Sequence, residues 1–418
     1  MTTLGEKRRQ APVPVVGMGC ITAAGPGLQA TMAGFATPAT GPQQPTLFAT
    51  GCTQPVFQCD VPESPDHWKK RLHYSHNLPA LEMVNRTTQL ALLATDAALR
   101  HACLPPKLIR GKRVGVCIGT SVGASLDFFD YYKNAVNDKN ATDPGTIPRY
   151  GRSNPALAIK YLLGLEGPAM TVTNACSSGA DAIGLAASWL QNDLCDMALA
   201  GGADALSYIT YLGFRSLKIL ATDACKPFDK NRNGLNIGEG AGMLILKKPG
   251  ADIAKTTDFG AILGYGTATD AYHLTAPHPE ATGLLAALRT ALEGAGLAPE
   301  QIAFINAHGT GTPTNDQVEG NFFQKFFPTT PFISSKGLTG HTLGAAGAIE
   351  AIIALAHLHL GILPPSPGFA EADPEAGRPP SGEHIAVQGD IALSQSLAFG
   401  GNNSVLILKK GTAPCLWQ

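Results

Sequence analysis

The 418-residue sequence carries little charge: Asp, Glu, Lys and Arg together make up 15%, almost balanced at 32 acidic and 31 basic side chains. A formal net charge of −1 leaves no global field to draw nucleic acid or anionic lipid. Aromatic residues are sparse, at 7%. No GxxxxGK[ST] phosphate loop occurs, and no CxxC pair occurs among Cys20, Cys52, Cys59, Cys103, Cys117, Cys176, Cys195, Cys225 and Cys415. Those absences argue against a P-loop enzyme, a zinc ribbon, a redox pair or a disulfide scaffold. An odd set of scattered thiols suits a reducing cytoplasm. Long apolar runs are missing too. Val13–Cys20 follows Lys7, Arg8 and Arg9, but it is short and holds Pro14, so it reads as a buried strand rather than an export signal. Ala351–Leu363 includes His357 and His359 and is too short to span a bilayer.

What is present is a large apolar fraction, 44%, with 47 glycines and 31 prolines. A sizeable core and many tight turns follow. Short apolar runs alternate with helical patterns, the grammar of an α/β protein. Strands are expected at Val13–Gly17, Val114–Gly119, Met197–Ala200 and Met243–Leu246, and again at Phe259–Gly264, Ile302–Asn306, Ile391–Leu393 and Ser404–Leu408. Helical spacing marks Leu90 to Ala98, Ala180–Leu190, Leu284 to Leu292 and Ala345–Leu360. The two series of similar grammar divide near residue 255, and Pro365–Pro380 reads as a surface loop.

Four segments carry chemistry. In Thr171-Val-Thr-Asn-Ala-Cys176-Ser-Ser-Gly179 a strand runs into a sharp turn and a helix of small residues. That places the Cys176 sulfur at a helix N-terminus, where free N–H groups favour the thiolate and can hold an oxyanion. Taken alone, the turn balances a nucleophile against a plain buried cysteine. Asn306-Ala-His308-Gly-Thr310-Gly-Thr312 follows a strand, at the end where ligand sites in α/β sheets tend to lie. Ser334-Ser-Lys336-Gly-Leu-Thr-Gly-His341 opens a small-residue helix, with Glu350 as a candidate counter-charge for Lys336. Phe399-Gly400-Gly401 forms a turn between strands, a motif that by itself is most often a hairpin.

Together and in this order, the segments resemble the β-ketoacyl-acyl carrier protein synthases of the thiolase superfamily, of the elongating Cys-His-His type. Ala200-Gly-Gly-Ala-Asp204, Pro227-Phe-Asp229, Gly238-Glu-Gly-Ala-Gly242 and Asp270-Ala-Tyr-His273 add to the likeness, which runs from Val13 to Lys409. The resemblance implies duplicated βαβαβαββ halves in five α-β-α-β-α layers, here 1–255 with the cysteine and 256–418 with the histidines. It implies Cys176 as acyl acceptor, His308 and His341 assisting malonyl decarboxylation, and Lys336 supporting the site with Glu350. Phe399 would supply an oxyanion N–H alongside that of Cys176, and its ring would gate the acyl pocket above Gly400 and Gly401. Thr310 and Thr312 would bind a phosphopantetheine arm. The substrates arrive on acyl carrier protein, with no metal and no further cofactor. A homodimer is implied, and a heterodimer with a chain-length partner is an alternative. A non-decarboxylating thiolase-like acyltransferase is another, disfavoured by having both histidines. Basic residues that would meet an acidic carrier are Arg215 first, then Lys69, Lys70, Arg71 and Arg86. The sequence departs from the usual pattern at Ser177, at Leu397-Ala398 before the gating Phe399, and at Asn402. These changes lie beside the acyl pocket and leave both fatty acid elongation and a specialised polyketide or polyene pathway open.

Overall fold

The computed structural model describes residues 10–37, 41–61, 85–123, 133–137, 154–251 and 256–413. Ten strands carry the architecture: β1 (Val13–Thr22), β2 (Val114–Gly119), β3 (Ala169–Val172), β4 (Met197–Asp204), β5 (Gly240–Lys247), β6 (Gly260–Thr269), β7 (Phe304–Asn306), β8 (Phe332–Ile333), β9 (Ile391–Ala398) and β10 (Asn402–Lys410). The principal helices are α1 (Arg86–His101), α2 (Pro155–Leu163), α3 (Ser178–Gln191), α4 (Tyr208–Ser216), α5 (Thr282–Ala295), α6 (Pro313–Phe326) and α7 (Ala346–Leu360).

The first five strands lie in the order β3-β2-β4-β5-β1, and the last five in the order β8-β7-β9-β10-β6. Each set therefore repeats the other, strand for strand. The directions repeat as well. β2 runs parallel to β3 and β4, as β7 does to β8 and β9, and the remaining pairs within each set are antiparallel. The sets join where β1 pairs antiparallel with β6, Val13 opposite Ile262 and Val15 opposite Gly260.

Side-chain alternation assigns the layers, because successive residues of a strand face opposite sides. Val116, Leu199 and Met243 pack under α1 and α2 in one core. Their neighbours Cys117, Ala198, Ala200 and Leu244 pack on α3 and α7 in a second. That central core also receives Phe304, Ala392 and Leu406 from the C-terminal set, whose opposite faces (Ile305, Leu393, Val405, Ile407) meet α5 and α6 in a third. Two outer cores and a central one that fills both sides of the middle helices hold five layers together, α-β-α-β-α. Strands covered on both faces are nearly continuous in apolar residues, which is why short runs without alternation marked them in the sequence.

α7 is buried along most of its length and belongs to the central layer. A stretch of 18 residues there, Leu343–Leu360, is long and apolar enough to cross a membrane by composition. It is instead the core helix against which both sheets pack, and a helix apolar all round is expected in that place. The segment from Pro365 to Pro380 is irregular apart from one short turn at Pro374–Ala376. It is fastened to the body where the Asp229 carboxylate accepts the N–H groups of Ala370 and Glu371.

Candidate active site

Cys176 stands between β3 and α3, two residues before the first helical residue. The turn is tight: Ala175 adopts φ 49°, a left-handed conformation that costs a non-glycine residue energy. Ser178 Oγ closes it, accepting the Asn174 N–H at 2.7 Å and donating to the Ala175 carbonyl at 2.6 Å. Gly179 lets this turn meet the segment leading into α7, since a Cβ there would lie 2.7 Å from the Gly344 carbonyl oxygen.

That close approach brings His341 to the sulfur. His341 Nε2 lies 3.1 Å from Cys176 Sγ, and its ring meets that of His308 edge-on with centroids 5.2 Å apart. Sulfur and ring nitrogens of the three residues lie within 4.8 Å of one another, and all three side chains are buried. The backbone of His341 is held by the N-terminal set. Its N–H donates to the Asn236 carbonyl at 2.8 Å, and its carbonyl accepts the Gly238 N–H at 2.9 Å.

The hydrogen bonds fix the tautomers. His341 Nδ1 accepts the Leu343 N–H at 3.3 Å, which puts the ring proton on Nε2, facing the sulfur. Lys336 Nζ lies 3.3 Å from His308 Nδ1, so that nitrogen also accepts and the proton again sits on Nε2. Both imidazoles thus present N–H donors. Such a set suits a developing oxyanion or enolate better than a metal ion, which requires lone pairs. Burial first, and the Lys336 charge second, push both histidines well below the ordinary 6.5.

Lys336 is 1% exposed and donates to the His308 carbonyl and to Glu350 Oε1. Glu350, 2% exposed, has its carboxyl pushed up by burial, against the pull of Lys336. The thiol departs from expectation. Burial pushes Cys176 up to about 12, and this outweighs the Lys336 charge and the Phe399 N–H that hydrogen-bonds the sulfur, both of which lower it. Burial thus favours the neutral thiol over the thiolate.

The cleft in front of the sulfur, about 260 Å³, is lined by Cys176, His308, His341, Phe399, Thr310 and Thr312, among others. The hydroxyls of Thr310 and Thr312 lie 2.8 Å apart. Gly400 and Gly401 form the tip of the β9–β10 hairpin, where Gly400 N–H donates to the Leu274 carbonyl and the Gly401 carbonyl accepts the Asp270 N–H.

Two family models cover most of the chain: "Beta-ketoacyl synthase, N-terminal domain" matches residues 10–250 and "Beta-ketoacyl synthase, C-terminal domain" matches residues 259–370. The chain belongs to the β-ketoacyl synthase family. It is similar to the 3-oxoacyl-[acyl-carrier-protein] synthase 2 of Synechocystis sp., 33% identical over 342 residues, which are 78% of this chain and 82% of that protein. Among solved structures, the ishigamide ketosynthase/chain length factor is 31% identical with TM-score 0.88, covering 96% of this chain and 99% of the other. A ketosynthase in complex with its chain length factor from Xenorhabdus doucetiae is also 31% identical, with TM-score 0.76 and coverage of 96% and 98%.

Several parts of this β-ketoacyl synthase site escaped the sequence reading. Glu319 and Asp316 on α6 hold the loop that carries His308 and Thr310. Glu319 accepts the N–H groups of His308 and Gly309 at 2.8 and 2.7 Å, and Asp316 accepts those of Thr310 and Gly311. The Asn315-Asp316-x-x-Glu319 spacing, one helical turn, was the available signal. Phe214 on α4 stacks on Phe399 with centroids 5.3 Å apart and planes at 15°. Arg215, next to it, is exposed, and so is Lys218, which the sequence reading passed over; both border one surface hollow. Arg86 does not face solvent as a docking cation would. Its side chain turns inward to the buried Glu239, Nε 2.9 Å from Oε2 and one terminal nitrogen 2.6 Å from Oε1. Lys69, Lys70 and Arg71 lie outside the described residues.

Proposed function

We propose that the protein catalyses the decarboxylative condensation of a malonyl unit with an enzyme-bound acyl group, both delivered as thioesters on the phosphopantetheine of an acyl carrier protein. The observation that carries this reading is the Cys176 sulfur facing the Nε2–H of His341, with His308 beside it, at the end of one cleft.

The cysteine attacks the incoming thioester, its proton passes to the departing carrier thiolate, and an acyl-Cys176 thioester remains. One thioester replaces another, so the step is nearly neutral in free energy. Burial that disfavours a thiolate does not penalise a neutral acyl-enzyme. The backbone N–H groups of Phe399 and Cys176 would hold the oxyanion. Malonyl thioester then binds, its C–CO₂⁻ bond breaks, and carbon dioxide leaves the electron pair as an enolate whose oxygen meets two N–H donors already in place. The enolate carbon attacks the acyl carbonyl, expels the Cys176 sulfur, which recovers a proton from solvent, and gives a 3-oxoacyl thioester two carbons longer. Lys336 and Glu350 would keep His308 in its donor tautomer, Thr310 and Thr312 would bind the pantetheine amides, and the Gly400–Gly401 tip would carry the Phe399 gate. No metal or further cofactor enters the scheme, which would run in the cytoplasm.

The same reading divides the chain into halves, 1–255 and 256–418, each with one set of strands. It also makes Arg215 and Lys218 part of a docking face for an acidic carrier, and allows pairing with a second copy or with a chain-length subunit. The last option is favoured by the two solved relatives that include a chain length factor.

Intact-mass analysis after incubation with acyl-carrier proteins tests the nucleophile. The wild-type protein should gain the acyl mass and Cys176→Ala should gain none. Cys176→Gln, whose amide mimics the acylated state, should retain carbon dioxide release from malonyl-carrier. An acyl adduct on the alanine variant would overturn the assignment.

A further inference from the structure

One buried carboxylate beside the nucleophile has no part in that scheme. Asp181, in the first turn of α3, is 6% exposed. Its Oδ2 accepts from Asn174 Nδ2 at 2.6 Å and from Ser177 Oγ at 2.8 Å, the residues on either side of Ala175-Cys176. Its Oδ1 accepts from the Tyr265 hydroxyl at 2.8 Å. Tyr265 belongs to β6, in the other half of the chain. The ring reaches Asp181 across α3 only because residue 184 is glycine, where a Cβ would sit 2.2 Å from the aromatic carbons. Burial and the neighbouring carboxylate push the Tyr265 phenol above its ordinary value, so it stays a donor.

We infer that Asp181 and Tyr265 form a positioning couple that holds the Cys176 turn in its acyl-accepting geometry from the opposite half, an inference that rests on the reading of Cys176 as acyl acceptor. A left-handed alanine before the nucleophile persists only where surrounding bonds over-determine it. The α3 N-terminus has no side-chain cap from Ser177, whose hydroxyl lies against Asp181 and the Asn174 carbonyl instead. The carboxylate thus joins both flanks of the turn and faces the positive end of the helix. Asp181 and Tyr265 line a separate open groove of about 540 Å³, not the cleft that holds the sulfur. Neither touches the thioester, so their action passes through the turn.

Tyr265→Phe in the full chain removes one hydroxyl and keeps the ring. Acyl loading of Cys176, followed by quenched intact-mass analysis, should slow by about tenfold, the scale of one lost hydrogen bond to a charged acceptor. The KM for the carrier should stay unchanged. Alkylation of Cys176 by iodoacetamide should not slow, because a loosened turn leaves the thiol at least as accessible. In a Cys176→Gln background, malonyl decarboxylation should also be spared. Loading at the wild-type rate would overturn the inference, as would a parallel fall in loading, alkylation and decarboxylation, which marks general damage. Asp181→Asn should slow loading similarly and add little to Tyr265→Phe; full additivity would deny that the two act together. A wild-type chain that takes no acyl group at all would instead sink the underlying reading, and the wild-type arm reports that outcome separately.

Discussion

The two strand sets share one topology and put different chemistry in equivalent places. After the third strand of each, the chain turns into a helix of the central layer: β3 leads to α3 and β8 to α7. In the first set that connection is a short turn holding an acid, the Cys176 thiol. In the second it is longer, with a helical turn at Lys336–Thr339, and holds a neutral N–H donor, the His341 imidazole. The loops after the second strands diverge further. That after β7 carries His308, whereas the described start of that after β2 donates its Thr120, Ser121 and Val122 groups to the buried Asp204. Burial acts on both sides with one rule, disfavouring charge. It raises the thiol to about 12 and drives both imidazoles well below 6.5. The lesson is that duplication supplies the framework while a shared low-dielectric seam supplies the neutral, donor-rich site. In the second half, the charge kept at that seam is paired, Lys336 with Glu350.

This contrast can be broken most forcefully at the ion pair. Glu350→Ala strands the Lys336 charge in the core and should cost about 3–5 kcal/mol in denaturant unfolding. Glu350→Gln, which keeps an acceptor, should lose clearly less. Equal small losses would mean that the pair is not the buried charge of the C-terminal half. The next effect is catalytic. His308→Ala should reduce carbon dioxide release from malonyl-carrier by about 10²–10³, the scale of one oxyanion donor, and leave acyl loading of Cys176 largely intact. Equal losses in the two assays would erase the division of labour between the halves.

The sequence made the chemistry legible further than the architecture around it. The Cys176, His308 and His341 segments are strand-end motifs with local signatures, and the doubly covered strands show as apolar runs. Two helices left weaker marks. α6 turns Asn315, Asp316 and Glu319 inward, which spoils the apolar stripe, and α4 has only Tyr211 fully buried. Strand ends were lost where small residues continue the ladder, as in β4, which runs on through Gly201 and Gly202 to Asp204. Arg86 read as a surface cation because its partner Glu239 is distant in sequence and meets it only after folding. The Cys176 shift was misjudged for the same reason. A helix terminus can be read from the local sequence, but the burial of the sulfur that overrides it is set by the whole fold.

The smallest expected effect is an absence of change, and it tests the shared rule directly. An ordinary imidazole gains its proton near pH 6.5, and a reaction needing it neutral would slow through that point. His308 and His341 are held well below that value by burial and by Lys336. The histidines should therefore add no step near pH 6.5 to the kcat for malonyl decarboxylation, measured with Cys176→Gln and Glu319→Gln together so that neither acyl loading nor the Glu319 carboxyl, raised to about 7 by burial, intervenes. Stability carries the complementary signature. In the unfolded chain these imidazoles protonate below about 6.5 while the folded ones resist. Their contribution is fully present above that pH and is lost as the pH falls towards the folded values. His308→Asn should make the acid limb of the stability curve shallower. A break in kcat near pH 6.5 with an unchanged acid limb would show that the histidines titrate like exposed ones, and that the seam between the halves does not exclude charge.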